Sequence, residues 1–204
     1  MSYLAFSKRW ANYLAVQTGL SSEKVLILTY VIEVLALNLL SVIMTLLLGL
    51  LIGVLPGTAA CVITGFIFRH TAGGAHSNSP WRCGVITITI YPLIALLAAS
   101  LSGLSQLYFD ILLAVSMLLG LVAVILLAPV DSPSAPIISP ARRKKMKLIS
   151  VMIVLMLAML LLILQRSQWV YARQVQLCVA FSIIWVSLML SKQGYQLISL
   201  IDNI

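Results

Sequence analysis

Charged residues are scarce in this chain. They make up 9% of its 204 residues, and only five of them are acidic. Soluble domains carry about 25% charged and about 45 to 50% apolar residues, whereas apolar residues make up 62% of this sequence. The scarcity of charge excludes an ordinary soluble domain and predicts a protein of the lipid bilayer.

The shortage of acidic residues leaves a net charge of +8, which raises the question of nucleic-acid binding. The 13 lysines and arginines do not form one basic face, because they occur in short clusters between apolar runs. That distribution is typical of the positive-inside rule of membrane proteins and not of a nucleic-acid-binding surface. We therefore expect membrane lipids, and no nucleic acid, among its partners.

Cysteine and histidine are also few, with three and two residues respectively. Cys61 and Cys178 lie inside apolar runs, where a cysteine behaves as a small hydrophobic residue, so we expect no disulfide. Two histidines and one further cysteine without a nearby carboxylate make a poor ligand set for zinc. The sequence therefore predicts neither a metal site nor another cofactor.

What the chain does contain is one long polar stretch, residues 69 to 84, within its otherwise apolar first two thirds. Both histidines, one cysteine and two arginines lie in it. Glycine tolerates the left-handed conformation that ends a helix, so Gly73 and Gly74 are predicted to end an incoming helix. Ser79 and Pro80 favour the start of the next helix, as its N-cap and first residue.

Cys83 then falls in the first turn of that second helix and follows Arg82. The positive end of a helix and a neighbouring cation both favour the thiolate, which is the nucleophilic form of cysteine. The unpaired amide groups around Trp81 and Arg82 could hold an oxyanion that forms during attack on a carbonyl group. These features make Cys83 a candidate nucleophile.

His76 is the candidate general base. On one unbroken helix it would lie roughly 10 Å from Cys83 along the axis, too far for a hydrogen bond, so a turn over residues 77 to 80 is needed to fold it back. His70 is a weaker candidate, because it precedes the glycine pair and is expected to end the incoming helix. On spacing alone, a packed thiol and an interfacial imidazole are the commoner explanation of such a pair.

Five residues of the polar stretch match a known family signature: Arg69, Gly73, Gly74, His76 and Cys83. Together they resemble the accessory gene regulator B family, bacterial membrane cysteine endopeptidases that process quorum-sensing propeptides. Residues 128 to 137, which a basic cluster follows, are similar to the second recognisable stretch of that family. The resemblance implies that Cys83 is the nucleophile and His76 the base, that the substrate is a peptide pheromone precursor, and that the protein is a homodimer.

The first third of the chain predicts an amphipathic helix and a helical hairpin. Residues 3 to 17 place aromatic and apolar side chains at helical spacing, which favours a helix at the membrane interface over one packed on a soluble partner. After a linker at residues 19 to 24, residues 25 to 68 form an apolar run that approaches the length of two spans. The hairpin has three candidate turns, Gly49, Gly53 and Pro56-Gly57. A turn at the last of these would make the return leg a re-entrant half-span.

Four more spans are predicted. They cover residues 85 to 101, where Tyr91-Pro92 predicts a kink, and then residues 108 to 128, 148 to 164 and 177 to 190. Residues 129 to 147 form a polar and then basic loop between the second and third of them. The fold class is therefore an all-α, polytopic membrane helical bundle of about six apolar segments, preceded by the amphipathic helix, in a single membrane domain.

Two carboxylates outside the polar stretch each have two interpretations. Glu33 lies within the first apolar leg, so it is either a functional intramembrane carboxylate or a boundary residue that is solvated or paired with an arginine such as Arg69. Asp131 either orients His76, as a third group orients the base in other nucleophilic sites, or is simply solvated in its loop.

The strongest charge cluster follows Asp131 and consists of Arg142, Arg143, Lys144, Lys145 and Lys147. One interpretation is that it binds anionic lipid headgroups at the inner leaflet. The other is that it captures an acidic stretch of a peptide substrate, in a contact that salt would weaken.

The distribution of lysine and arginine also predicts the orientation in the membrane. With six spans and the N-terminus inside, 11 of the 13 basic residues fall in cytoplasmic segments, and only Arg166 and Arg173 lie outside. By the positive-inside rule, the N-terminus and the loop with His76 and Cys83 face the cytoplasm of a bacterial cell.

The sequence thus predicts a membrane cysteine endopeptidase that cleaves a propeptide through a thioacyl-enzyme. The resemblance implies that an internal cysteine or serine of the substrate then closes a thiolactone or lactone ring. The alternative is a transport or scaffold subunit that binds a peptide without cutting it, since intramembrane polar residues and re-entrant segments occur in such proteins. A third hypothesis is a protease that only hydrolyses, and it would give a linear product.

Overall fold

The computed structural model describes residues 5–19, 21–77, 79–131 and 138–203. These residues form eight α-helices: α1 (Ala5–Thr18), α2 (Ser22–Leu51), α3 (Leu55–Thr71), α4 (Pro80–Leu101), α5 (Gln106–Leu127), α6 (Pro140–Gln165), α7 (Ala172–Leu190) and α8 (Lys192–Asp202). The prediction of an all-helical fold is confirmed.

Five of these helices, α2 and α4 to α7, are long and apolar enough to cross a membrane. Their outward faces carry large exposed apolar side chains, such as Leu51, Leu126 and Met159. An apolar surface of this extent is unfavourable in water but suits contact with lipid. The chain is therefore a polytopic membrane helical bundle, as predicted.

Helix α7 lies at the centre of the bundle. It contacts α3, α4, α5, α6 and α8, and it is the most deeply buried of the five candidate spans. Small side chains on α7, including Cys178, Ala180 and Ser182, are buried and let neighbouring helices approach closely. Gln176 donates a hydrogen bond to the carbonyl of Leu161 on α6 (2.8 Å). The last turn of α7 reaches the polar loop between α3 and α4.

The first hairpin turns at Gly53. This residue lies between α2 and α3 and has φ +77°, a conformation that glycine adopts without strain. Pro56 lies instead in the first turn of α3, where its missing N–H leaves no hydrogen bond unmade. Gly49 lies inside α2, where α3 packs against it: a Cβ there would lie 2.5 Å from Thr58 Oγ1. The open choice among three turns is thus resolved in favour of Gly53.

A turn at Gly53 gives α3 a length of 17 residues. That corresponds to about 25 Å at 1.5 Å per residue, somewhat less than the hydrocarbon thickness of about 30 Å. Arg69 and His70 lie in its last turn. The polar site therefore begins directly at the C-terminal end of a short helix.

Helix α1 packs against α2 through the buried residues Ser7 and Ala11. Phe6, Trp10 and Tyr13 remain exposed, an arrangement that suits a helix lying at the membrane interface. Residues 3 and 4 of the predicted helix lie outside the described residues. Since α2 already begins at Ser22, the predicted linker at residues 19 to 24 is partly helical.

Helix α6 begins earlier than the sequence predicts. Pro140 is its first residue, and the Ser139 side chain accepts a hydrogen bond from the amide of Arg142. The basic cluster therefore lies on the first turns of α6 and not in a loop. Of the predicted loop at residues 129 to 147, residues 132–137 lie outside the described residues. Helix α5 likewise begins at Gln106, two residues before the predicted span.

The sequence analysis predicts no helix after residue 191, yet α8 follows α7 almost directly. The Ser191 side chain accepts a hydrogen bond from the amide of Gly194 (3.4 Å) and so caps its first turn. A Cβ at Gly194 would lie 2.3 Å from the carbonyl oxygen of Leu188, so only glycine allows α8 to fold back so closely. This turn brings the C-terminal end of α8 to the polar loop.

Candidate active site

Helices α3 and α4 present Arg69 and Cys83 to each other. Arg69 lies in the last turn of α3, and Cys83 lies in the first turn of α4. The Arg69 Nη1 group donates a hydrogen bond to the Cys83 sulfur at 3.2 Å. Cys83 is thus placed in the electropositive setting that a cysteine nucleophile needs.

The loop between these helices is shaped by its glycine pair. Gly73 and Gly74 have φ of +75° and +124°, so the prediction that they follow the end of a helix agrees with the backbone. A Cβ at Gly73 would lie 2.3 Å from the carbonyl oxygen of Val130, and the Val130 amide donates to the carbonyl of Ala72 (2.9 Å). The segment after α5 therefore supports one side of the loop.

The end of α7 supports the other side of the loop. The Ala75 amide donates to the carbonyl of Met189 (2.8 Å), and a Cβ at Gly74 would lie 3.2 Å from the same oxygen. Backbone contacts on both sides thus hold the residue that follows, His76, in place.

His76 and Cys83 line one cavity of about 70 Å³. The remaining lining residues are Gly65, Arg69, Gly73, Ala75, Ser77, Ile86, Thr87, Tyr91, Trp185, Val186, Met189 and Ile198. Among the described residues no hydrogen bond joins His76 to Cys83. Catalytic hydrogen bonds are often long before substrate binds, so the missing hydrogen bond does not exclude His76 as the base.

The environment of His76 keeps its imidazole neutral. Burial, and then the positive charge of Arg69, lower the pKa of His76 to about 4. At neutral pH the ring therefore has a free nitrogen lone pair that can accept a proton. Arg69 thus contacts the Cys83 sulfur and also disfavours the imidazolium of His76.

Ser79 occupies the N-cap position of α4, as predicted, but its side chain does not form the capping hydrogen bond. It precedes Pro80 in an extended conformation. The Ser79 carbonyl accepts from the Cys83 amide (3.2 Å). The amides of Trp81 and Arg82 have no hydrogen-bond partner among the described residues, but neither residue lines the cavity.

A carboxylate that the sequence analysis missed links the two sides of the site. Asp202, near the end of α8, accepts a hydrogen bond from Ser77 Oγ and forms an ion pair with Arg82 at 3.7 Å. Arg82 also donates to the carbonyl of Ile201 (3.2 Å). Ser77 follows His76 and Arg82 precedes Cys83, so Asp202 contacts the chain next to both residues. The amphipathic pattern of residues 192 to 202 could have indicated the helix that bears this carboxylate.

The other candidate residues lie outside the cavity. His70 is exposed, its Nδ1 interacts with the carbonyl of Phe66 (2.9 Å), and its ring packs on that of Phe66. Glu33 is buried in α2, where 5% of it is exposed. Neither residue is therefore placed to take a proton from Cys83.

Asp131 forms an ion pair with Arg143 of the basic cluster. The structure shows no hydrogen bond between Asp131 and His76 within the described parts of the chain. Tyr195 on α8 donates to the Asp131 carbonyl (3.4 Å), and burial, followed by the negative charge of Asp131, raises the pKa of Tyr195. Asp131 thus connects α6 and α8.

Comparison with known proteins agrees with this site. The family model of accessory gene regulator B matches residues 7–190. An AgrB-like protein 2 of Clostridium perfringens strain 13 is 29% identical over 204 residues, which cover 97% of this chain and 95% of that protein. An AgrB-like protein of strain SM101 is 28% identical with the same coverage. No solved structure matches. The chain therefore belongs to the accessory gene regulator B family, whose members process quorum-sensing propeptides.

Proposed function

We propose that the protein is a membrane-embedded cysteine endopeptidase that cleaves a peptide pheromone precursor and promotes its cyclisation. One observation carries the proposal: a sulfur in contact with a guanidinium group shares a small cavity with a neutral imidazole. If the cysteine and histidine were only packing and interfacial residues, neither the guanidinium contact nor the shared cavity would be required. Membership of the family supplies the class of substrate.

In the first step, His76 takes the proton of the Cys83 thiol, and the sulfur attacks a peptide carbonyl carbon of the substrate. The carbonyl oxygen becomes negatively charged, and the tetrahedral intermediate then collapses with loss of the amine. The imidazolium of His76 is a strong acid because its pKa is about 4, so it readily gives its proton to the leaving amine. The products are a released C-terminal tail and a thioester on Cys83.

In the second step, a cysteine thiol or serine hydroxyl within the bound peptide attacks the thioester. Its proton passes through His76 to the departing Cys83 sulfur, and the peptide leaves as a thiolactone or lactone. Exchange of one thioester for another changes the free energy little, so hydrolysis is the competing reaction. A cavity of about 70 Å³ has room for only a few water molecules, which protects the thioester.

The basic cluster is the proposed binding surface for an acidic part of the substrate. Arg142, Lys144 and Lys145 are exposed on the first turns of α6, whereas Arg143 is engaged with Asp131. Asp131 is joined to α8 through Tyr195, and α8 contributes Ile198 to the cavity. A peptide held on this surface would thus lie on an element connected to the active site. Binding of anionic lipid is the alternative use of the same charges.

The orientation and assembly follow from the same proposal. The N-terminus, the polar loop and the basic cluster face the cytoplasm, where a newly made propeptide arrives, and the exposed aromatic side chains of α1 rest at the membrane interface. The protein acts as a homodimer in the bacterial cell membrane, as its family resemblance implies.

The test is the fate of a synthetic propeptide, encoded beside the gene, in lipid vesicles with the purified protein. We expect the wild type to give a cyclic peptide and a free tail, and Cys83→Ala and His76→Ala to give neither. His70→Ala is the matched control, because this exposed imidazole lies outside the cavity, and it should keep activity. Equal peptide binding by all variants without any product would overturn the peptidase and favour a transport or scaffold subunit. A linear product alone would limit the function to hydrolysis.

A further inference from the structure

A tyrosine shares the cavity with the two proposed catalytic residues. Cys83, Thr87 and Tyr91 lie at intervals of four residues on α4, and all three line the cavity. Residues at this spacing occupy one face of a helix, and helical side chains lean towards the N-terminus. The Tyr91 side chain therefore lies on the same face as Cys83 and leans towards it from deeper in the bundle.

A glycine on the facing helix makes room for the tyrosine hydroxyl. A Cβ at Gly65 would lie 1.9 Å from Tyr91 Oη, closer than any two such atoms can approach. Gly65 lies one turn before Arg69 on α3, so α3 and α4 meet twice along the cavity. Arg69 contacts Cys83, and one helical turn away the Tyr91 hydroxyl packs against Gly65.

The hydrogen-bonding groups of the cavity are mostly engaged. Thr87 Oγ1 donates to the carbonyl of Cys83 (3.0 Å), Ser77 Oγ donates to Asp202, and Arg69 donates to the Cys83 sulfur. The Tyr91 hydroxyl makes no hydrogen bond to any residue that the structure describes. A half-buried phenol normally finds a partner, so this donor is available to a group that enters the cavity.

The amides of Trp81 and Arg82 are not in a position to fill that role within the cavity, since neither residue lines it. An oxyanion that forms on the cavity side of Cys83 therefore needs another donor. A neutral tyrosine hydroxyl is one of the groups that can supply such a hydrogen bond.

We propose that Tyr91 is a further catalytic residue, whose hydroxyl donates a hydrogen bond to the substrate carbonyl oxygen as Cys83 attacks. The inference rests on the proposed peptidase function and adds a residue to its machinery. The phenolic proton stays on Tyr91 throughout, so no covalent bond of the tyrosine changes. The hydrogen bond strengthens as negative charge moves from the sulfur to the oxygen, and this difference accelerates the reaction.

The experiment compares two reactions of Cys83 in the full-length protein in lipid vesicles. Thioester formation with the propeptide passes through an oxyanion, whereas alkylation by iodoacetamide does not. Loss of one oxyanion donor slows acyl transfer by about 10² to 10³-fold. We expect Tyr91→Phe to slow single-turnover thioester formation by that factor, with the peptide concentration for half-maximal rate unchanged and the pH profile of alkylation unchanged.

Tyr108→Phe is the matched control, because it removes the same oxygen from an exposed tyrosine on α5. A second variant, Gly65→Ala, puts a methyl group where the hydroxyl lies. We expect it to slow thioester formation without slowing alkylation, and we expect Tyr91→Phe to add little in that background.

Thioester formation at the wild-type rate in Tyr91→Phe would overturn this inference and leave the peptidase function standing. An equal slowing of alkylation and thioester formation would also overturn it, because Tyr91 would then act on the thiol or its packing. If the wild type forms no thioester while iodoacetamide still alkylates Cys83, the proposed function itself fails, and this inference fails with it.

Discussion

At the scale of single residues, Arg69 is the group on which the site depends most. It donates to the Cys83 sulfur and its charge contributes to the lowered pKa of His76. A sequence pattern can place an arginine near a cysteine, but it cannot show which atom the guanidinium group contacts. The motif residues and the thiol's place in the first turn of α4 were therefore predictable. The contact of Arg69 with the Cys83 sulfur, the access of Tyr91 to the cavity and the pairing of Asp131 with Arg143 were not.

The pH dependence of thioester formation tests the state of His76. Burial and Arg69 both disfavour the imidazolium, so the pKa of His76 falls from 6.5 to about 4, and the ring stays neutral until the pH drops to that region. We expect the rate to hold from pH 7 to about pH 5 and to fall as the pH passes through about 4. Arg69→Gln should move this acidic limb upwards, because it removes a charge that disfavours the imidazolium. A limb near pH 6.5 in the wild type would contradict the account.

Gly73 tests the support of the loop. Gly73→Ala introduces a left-handed non-glycine residue, which costs about 1 to 2 kcal/mol, and places a Cβ 2.3 Å from the Val130 carbonyl oxygen. The loop must shift, and a displacement of about 1 Å can slow a reaction about 10²-fold. Gly103→Ala is the control, since nothing lies within 4 Å of its Cβ position. Equal thioester formation by both variants would show that the glycine does not position His76.

At the scale of elements, α3 and α4 bear Arg69 and Cys83. Helices α7 and α8 contact the loop that joins them. Apolar run lengths and glycine or proline positions predicted α4 and α5 closely, because a membrane span requires a long unbroken apolar sequence. They placed the starts of α6 and α7 too late, because polar and basic residues begin both helices. They left the first turn open among three glycine positions, since each glycine allows a turn and only the backbone shows that Gly53 adopts the left-handed conformation. They missed α8, because a short amphipathic segment gives a weak signal when read apart from the loop that it contacts.

Asp202 tests whether α8 positions the loop. Asp202→Ala removes the acceptor of Ser77 and the ion-pair partner of Arg82, so both chain segments beside the catalytic pair become less fixed. We expect the single-turnover rate to fall about tenfold, corresponding to about 1.4 kcal/mol, while peptide affinity changes little. Gln196→Ala on the exposed side of α8 is the control. Ser77→Ala should add little to Asp202→Ala, and full additivity would indicate independent roles.

At the scale of the whole molecule, the bundle brings a polar site to one end of a strongly apolar structure. The helical nature of the spans follows from hydropathy, because lipid satisfies none of the backbone groups and leaves helices as the main solution. The position of the loop between α3 and α4 does not follow from hydropathy. It depends on contacts between residues far apart in sequence, such as Gly73 with Val130 and Ala75 with Met189.

The orientation of the bundle is testable through its cysteines. Cys61 and Cys178 are fully buried, whereas Cys83 is partly accessible, so Cys83 should be the thiol that reacts with a membrane-impermeant maleimide. We expect labelling in inside-out vesicles and none in right-side-out vesicles, because in the proposed orientation, which rests on the positive-inside rule, this loop faces the cytoplasm. Cys83→Ala should abolish the labelling. The reverse pattern would place the site outside and contradict the proposed route of the substrate.

The central claim is that Cys83 becomes acylated by the propeptide. The most direct measurement is the intact mass of the protein after brief mixing with the propeptide in lipid vesicles, with and without hydroxylamine, which cleaves thioesters. The account predicts an adduct with the mass of the peptide minus its C-terminal tail, located on Cys83, removed by hydroxylamine and absent from Cys83→Ala. Release of the tail without any adduct in the wild type, or an equal adduct on Cys83→Ala, would contradict it.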